Sequence, residues 1–198
     1  MAIKPILFNT EMVRAILDGR KACTRRLPRK QIEEKYLEYE EWVCAVAQPG
    51  STWLSEKEFY EEYPPYQLGD ILYVRETWRG LPVNEAGHFR GHPIYYYRAD
   101  GDLRPEGWRG VWRPSIHMPK EAARIWLKVT DVRVERLQDM TDDDAEAEGC
   151  FDYTSTALGF PDVWDSTIKK SNLDSYGWDA NPWVWVIKFE RCEKPKEV

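Results

Sequence analysis

The 198 residues carry 28 Lys and Arg against 34 Asp and Glu, a formal net charge of -6, with 42% apolar and 31% charged side chains. This is the composition of a globular chain of one-domain size, and no apolar run approaches the roughly 20 residues that a membrane-spanning helix needs. The acidic balance excludes strong sequence-independent binding to long nucleic acid, which draws on counterion release at a basic surface.

Residues 1–9 hold one Lys and no small-residue cleavage pattern, so they do not read as a secretory signal, and a cytoplasmic location is expected. Within them Ile6-Leu7-Phe8 is a short apolar run. Thr10 stands where it caps a helix over residues 11–18, with Met12, Val13, Ile16 and Leu17 on one face and Gly19 as the stop. The segment that follows, Arg20-Lys21-Ala22-Cys23-Thr24-Arg25-Arg26, is basic and sits where chemistry is easily placed. Together with Arg14, Arg29 and Lys30 it makes a local cationic patch between acidic flanks, or an ordinary solvated mixture of charges.

Residues 31–42, rich in Glu, Lys and Tyr, read as a helix, and residues 55–63 as a short one, both inside an insertion over about 30–66. After the Gly69-Asp70 turn, Ile71-Leu72-Tyr73-Val74-Arg75-Glu76-Thr77-Trp78 reads as one strand. Residues 80–93 are loop, residues 94–98 a second strand, and residues 120–123 a helical turn. Ile125, Leu127, Val129, Val132 and Val134 alternate with charge in a long strand over residues 124–137, bent near Thr130. Thr141 then caps a short helix opened by Asp142, Asp143 and Asp144 and ended by Gly149. A second insertion, about 151–180, holds a helix near 160–170 and a loop over 172–182, and residues 183–190 form the last strand. Mostly antiparallel strands with short helices at the rim indicate a single α+β domain over residues 1–198, built on a barrel-like sheet.

Cys23, Cys44, Cys150 and Cys192 include no CxxC pair, and His88, His92 and His117 have no finger spacing, so free thiols, no metal site and no cofactor are expected. Lys21 and Thr24 offer a different chemistry. Like charges at Arg20, Arg25 and Arg26 disfavour the cation of Lys21, which is one way to obtain an amine base, and such a base activates a neighbouring hydroxyl. Glu148, at the end of the acidic helix, supplies or accepts the second proton if the fold brings it across. On the residues alone, a plain basic surface turn explains Lys-x-x-Thr as well. Arg75 and Glu76 either bind a base edge or phosphate or pair with a neighbouring strand. Trp78, Trp112 and Trp183, three of ten Trp, either stack a base or fill the core.

Three segments carry a resemblance. Ile16-Leu17-Asp18-Gly19-Arg20-Lys21-Ala22-Cys23-Thr24-Arg25-Arg26, the strand from Gly69 through Trp78, and Asp144-Ala145-Glu146-Ala147-Glu148-Gly149 resemble the successive signatures of ASCH domains. With Pro114 to Pro119, Trp164-Asp165-Ser166 and Asn181-Pro182-Trp183-Val184-Trp185-Val186, the chain resembles the larger phage and prophage ASCH proteins of unassigned role, over nearly its full length apart from the insertions. The resemblance implies a PUA-like β-barrel whose cleft faces RNA or a modified nucleoside. It also implies chemistry, because a small bacterial branch, the N4-acetylcytidine amidohydrolases, uses a lysine, a threonine and a glutamate in similar segments. By that likeness Lys21 takes a proton, Thr24 is the nucleophile and Glu148 the proton donor, with Arg20, Arg25, Arg26, Arg75, Glu76 and Trp78 around the substrate. This chain departs from the pattern at Ala22, where a threonine is common, and it is much longer than those minimal enzymes. Three readings stay open: hydrolysis of an amide on a modified pyrimidine, a non-catalytic module for a nucleoside or single-stranded RNA, and a ribonuclease.

Overall fold

A computed structural model describes residues 1–27, 36–39, 42–45, 54–80, 95–101, 111–150 and 156–196. In chain order the elements begin β1 (Ile3–Leu7), α1 (Thr10–Leu17), β2 (Cys23–Arg26), β3 (Tyr36–Tyr39), β4 (Trp42–Ala45), β5 (Leu54–Ser55) and α2 (Glu56–Glu62). They continue with β6 (Ile71–Arg75), β7 (Trp78–Gly80), β8 (Tyr95–Tyr97), β9 (Trp126–Arg136), α3 (Asp142–Ala147), α4 (Thr156–Thr167), α5 (Leu173–Tyr176) and β10 (Trp183–Cys192). The larger sheet runs β1-β6-β9-β10-β2, a second sheet runs β3-β4-β5, and β7 pairs with β8. The α+β expectation holds. The larger sheet is open among the described residues, with β1 and β2 at its ends, and the β1–β6 pair is parallel. Two compact units divide the chain: Met1–Lys21, Gly69–Lys128 and Glu190–Val198 make one, and Ala22–Leu68 with Val129–Phe189 make the other.

In the first unit the side chain of Asn9, one residue before the expected cap, accepts from the Met12 N–H at 2.8 Å and starts α1, burying Val13, Ala15 and Ile16. Gly19, at φ +76°, ends the helix, and the N–H groups of Arg20 and Lys21 both return to the Ala15 carbonyl, at 2.8 and 3.0 Å. The strand expected through Trp78 stops at Arg75. The Glu76 N–H leaves the ladder and donates to the thioether of Met118 at 3.2 Å, after which the chain bends at Thr77 into β7. Ile71, Trp78, Met118, Ala122, Ala123 and Trp126 form this unit's core.

In the second unit β2 pairs antiparallel with β10, Thr24 opposite Ile187 and Arg25 opposite Val186. Residues 36–39, inside the span 31–42 expected as helix, are instead one arm of an antiparallel hairpin with residues 42–45, Tyr36 opposite Ala45 and Tyr39 opposite Trp42. Backbone pairing between the two arms overrides the helical preference of the local composition. Helix α2 forms inside the expected span. Helix α3 begins with a capping box: the Thr141 hydroxyl accepts from the Asp144 N–H at 3.2 Å, and the Asp144 carboxylate accepts from the Thr141 N–H at 3.3 Å. Glu148 is its C-cap, and Gly149, at φ +90°, turns the chain away. The expected loop over 172–182 contains α5, onto which Trp164 of α4 is tied by its indole N–H, donating to the Tyr176 carbonyl at 2.8 Å. Leu137, Met140, Ala145, Phe160, Trp164, Val184 and Val186 pack this unit's core.

Candidate functional site

The second unit gathers charge around Arg25. Strand β2 is anchored to α3 by the Ala22 N–H, which donates to the Ala147 carbonyl at 2.8 Å, and by the Cys23 thiol near the Asp144 carbonyl at 3.9 Å. Side chains alternate along a strand, so Arg25 leaves β2 on the same face as Cys23, toward α3, while Thr24 leaves on the other, beside Ile187. The Arg25 guanidinium, wholly buried, meets three carboxylates: Nη2 lies 2.6 Å from Glu135 Oε1 and 3.3 Å from Asp144 Oδ2, and Nη1 lies 3.5 Å from Glu148 Oε1. Arg133, two residues before Glu135 on β9, completes the cluster. Its Nε reaches Glu135 Oε2 at 3.0 Å, and its Nη1 and Nη2 reach Asp131 Oδ2 at 3.3 Å and Asp144 Oδ1 at 3.4 Å. Glu135 and Asp144 therefore each bridge both arginines.

The electrostatics follow from this packing. Burial by itself would lower the pKa of Arg25, but Glu148 and Glu135 more than offset it and hold the group above its ordinary value. Burial pulls Arg133 the same way, and Glu135 and Asp144 reverse it. For Asp144, burial acts to raise the pKa, and the bond from the Thr141 N–H with the two guanidinium groups brings it below the usual carboxylate value. The cluster is thus fully ionised at neutral pH in its arginines, and Arg25 is committed to carboxylates inside the fold. Its Nε is the exception: buried, it has no partner among the described residues. Thr24 and Glu148 are buried as well, at 2% and 8% exposure.

The remaining expected site residues have other placements. Lys21 belongs to the first unit, where it is 3% exposed and its Nζ lies 5.6 Å from the centre of the Phe8 ring; it is not the solvent-facing turn residue that a basic loop implies. Arg20 turns to Asp18 at 2.8 Å, and Arg26 is half-buried on β2 in the second unit. Glu76 is buried in the first unit, where Arg124 holds both its oxygens, at 2.9 and 3.1 Å, and also reaches Asp100 at 2.8 Å. Burial pushes Glu76 above the usual carboxylate value against the pull of Arg124. Arg124 also lies 4.0 Å from the centre of the Tyr97 ring, and burial raises that phenol to about 12. The Arg75 guanidinium donates to the Ile116 carbonyl. Trp78 is core, 5% exposed and edge-on to Tyr95, and Trp183 carries the Arg136 guanidinium 4.2 Å from its ring centre. His88 and His92 lie outside the described residues.

A cavity of about 550 Å³ lies in the second unit, between the end of α2, the turn after it, β9 and Trp185. No motif pointed to it. Its signals were dispersed: aromatic residues at 60, 66 and 185, and Thr130 to Val134 in the middle of a strand.

No family model matches the chain, and no curated protein matches it. Among solved structures, the crystal structure of an ASCH domain from Lactobacillus crispatus is similar at 12% identity and a TM-score of 0.47, covering 96% of this chain and 79% of that chain. A likeness of that depth fixes neither fold family nor function.

Proposed function

We propose that this chain is an ASCH-type protein, related to PUA-like folds, that binds a nucleobase or nucleoside. The observation that carries the reading is the fate of the signature residues in the second unit: Thr24, Arg25 and Glu148 are 2%, 4% and 8% exposed. A charged pair withdrawn from water carries a desolvation cost that well-packed apolar residues would avoid. An arginine and a glutamate kept there in segments that resemble ASCH signatures fit a polar site built for a ligand better than a solvated turn. The acidic total of the chain, -6, favours a ligand without a long polyanionic backbone over RNA of any length. Binding of cytidine and N4-acetylcytidine, measured by calorimetry against short single-stranded RNA, tests this. Absence of nucleoside binding at millimolar concentration sinks it.

The amidohydrolase reading is the finer proposal, and it rests on the likeness of Gly19 to Thr24 and of Ala145 to Gly149 to the segments that carry the lysine, threonine and glutamate of the N4-acetylcytidine amidohydrolases. In that chemistry the Thr24 Oγ1 attacks the acyl carbon while Lys21 accepts the hydroxyl proton. The C–N bond then breaks, the exocyclic amine leaves with a proton from Glu148, and water releases the acyl group from the threonine ester. Chromatographic detection of cytidine and acetate from N4-acetylcytidine reports it. Lys21→Ala and Thr24→Ala are expected to lower the rate at least about a hundredfold, and a Lys21→Ala protein as active as wild type rules the mechanism out.

A further inference from the structure

The cavity of the second unit has a wall that is set before anything enters it. Trp185 and Tyr60 meet edge to face with ring centres 5.7 Å apart, and the Trp185 indole N–H donates to the Tyr60 carbonyl at 2.9 Å. Tyr66, 8% exposed, adds a third ring, and Val132 and Val134 supply an aliphatic side. A planar ring gains dispersion and apolar burial against such surfaces with little reorganisation. The volume, about 550 Å³, lies in the range of small-molecule sites. Gln67 and Thr130, both exposed, bring neutral polar side chains to the lining.

Charge decides what the ring must lack. Glu61 and Asp131 bring two carboxylates to the lining, and Arg133 is the only cation among the described lining residues. Its three guanidinium nitrogens already face Asp131, Glu135 and Asp144 at 3.3, 3.0 and 3.4 Å. A phosphate placed here would meet carboxylates without an uncommitted positive partner among the described lining residues.

We infer that this cavity takes a planar, uncharged heteroaromatic ring with hydrogen-bonding edges and no phosphate: a nucleoside and not a nucleotide. The inference rests on the nucleoside reading above for the class of ligand, and it places the ring in a cavity that meets the Arg25 cluster through Arg133 and not through Thr24, Arg25 or Glu148. Calorimetric titration of the full chain with cytidine, N4-acetylcytidine and cytidine monophosphate tests it. The nucleosides are expected to bind at least about tenfold more tightly than the monophosphate. Val132→Phe, at a half-buried position, fills the space and is expected to weaken nucleoside binding by at least about tenfold with an unchanged melting curve. Thr130→Arg, at an exposed position that leaves the core untouched, supplies a free cation and is expected to raise monophosphate affinity. Nucleoside binding unaffected by Val132→Phe, with monophosphate affinity unaffected by Thr130→Arg, overturns the assignment of the cavity and leaves nucleoside binding by the chain standing. Tighter binding of the monophosphate by wild type overturns the charge argument, and no nucleoside binding at all removes both readings.

Discussion

Replacing Arg25 by Leu leaves three carboxylates facing one another without the guanidinium that joins them. Their side-chain exposures, 15% for Glu135, 16% for Asp144 and 6% for Glu148, give them little water in exchange. Glu135 and Asp144 keep Arg133, at 3.0 and 3.4 Å, whereas Glu148, the most buried of the three, loses its contact with Arg25 at 3.5 Å. Removing one partner of a buried ion pair costs about 3–5 kcal/mol, which for a chain of this size lowers the melting temperature by about 6–20 °C. Urea unfolding followed by far-UV circular dichroism measures it directly. Glu148→Gln in the Arg25→Leu background should recover at least about 1 kcal/mol. A loss below about 1 kcal/mol for Arg25→Leu would refute the claim that this cluster is a buried, mutually dependent network.

Thr141→Ala removes half of the capping box on α3 and is expected to cost about 0.5–2 kcal/mol in the same assay, with Thr141→Ser close to wild type. Gly177→Ala would put a methyl carbon 2.6 Å from the Leu173 carbonyl oxygen and 3.3 Å from the Asp165 carboxylate, a clash with backbone expected to cost about 1–3 kcal/mol by urea titration. Asp144 has a folded pKa below its ordinary 3.8, so its contribution to stability is present above the unfolded value and lost as pH falls through the folded one; Asp144→Asn should flatten the decline of stability below about pH 4. Glu76 runs the other way. Its folded pKa is raised above 4.5, so its contribution is complete below the unfolded value and is lost as pH rises through the folded one, which a pH series of unfolding curves on Asp144→Asn exposes by removing the opposing signal.

What could be read from the residues was local. Thr141 and Asp144, three apart at the head of an acidic first turn, announce their own helix start, and the alternation from Ile125 to Val134 announces β9, because both patterns are set by neighbours in the chain. The hairpin at Tyr36 and Trp42 was hidden behind the helical composition around it, since strand pairing is decided by the opposite strand. The site was legible as residue types and not as partners. By sequence Arg25 reads as a cation for substrate, whereas the carboxylates that claim it lie 110 to 123 residues further along. An ion pair is one of the two sequence readings of Glu76, and the pair is present, with Arg124, 48 residues away, as its partner. The cavity at Trp185 had no signature because its lining comes from three separate stretches of chain.

Cys23 turns the β2–α3 junction into a clock. Its thiol is fully buried under Asp144, so a small alkylating reagent meets it only when that strand parts from the helix. The speed at which mass spectrometry finds Cys23 modified therefore counts those openings in the untouched protein, and a ligand that grips the second unit should slow the count in proportion to its occupancy.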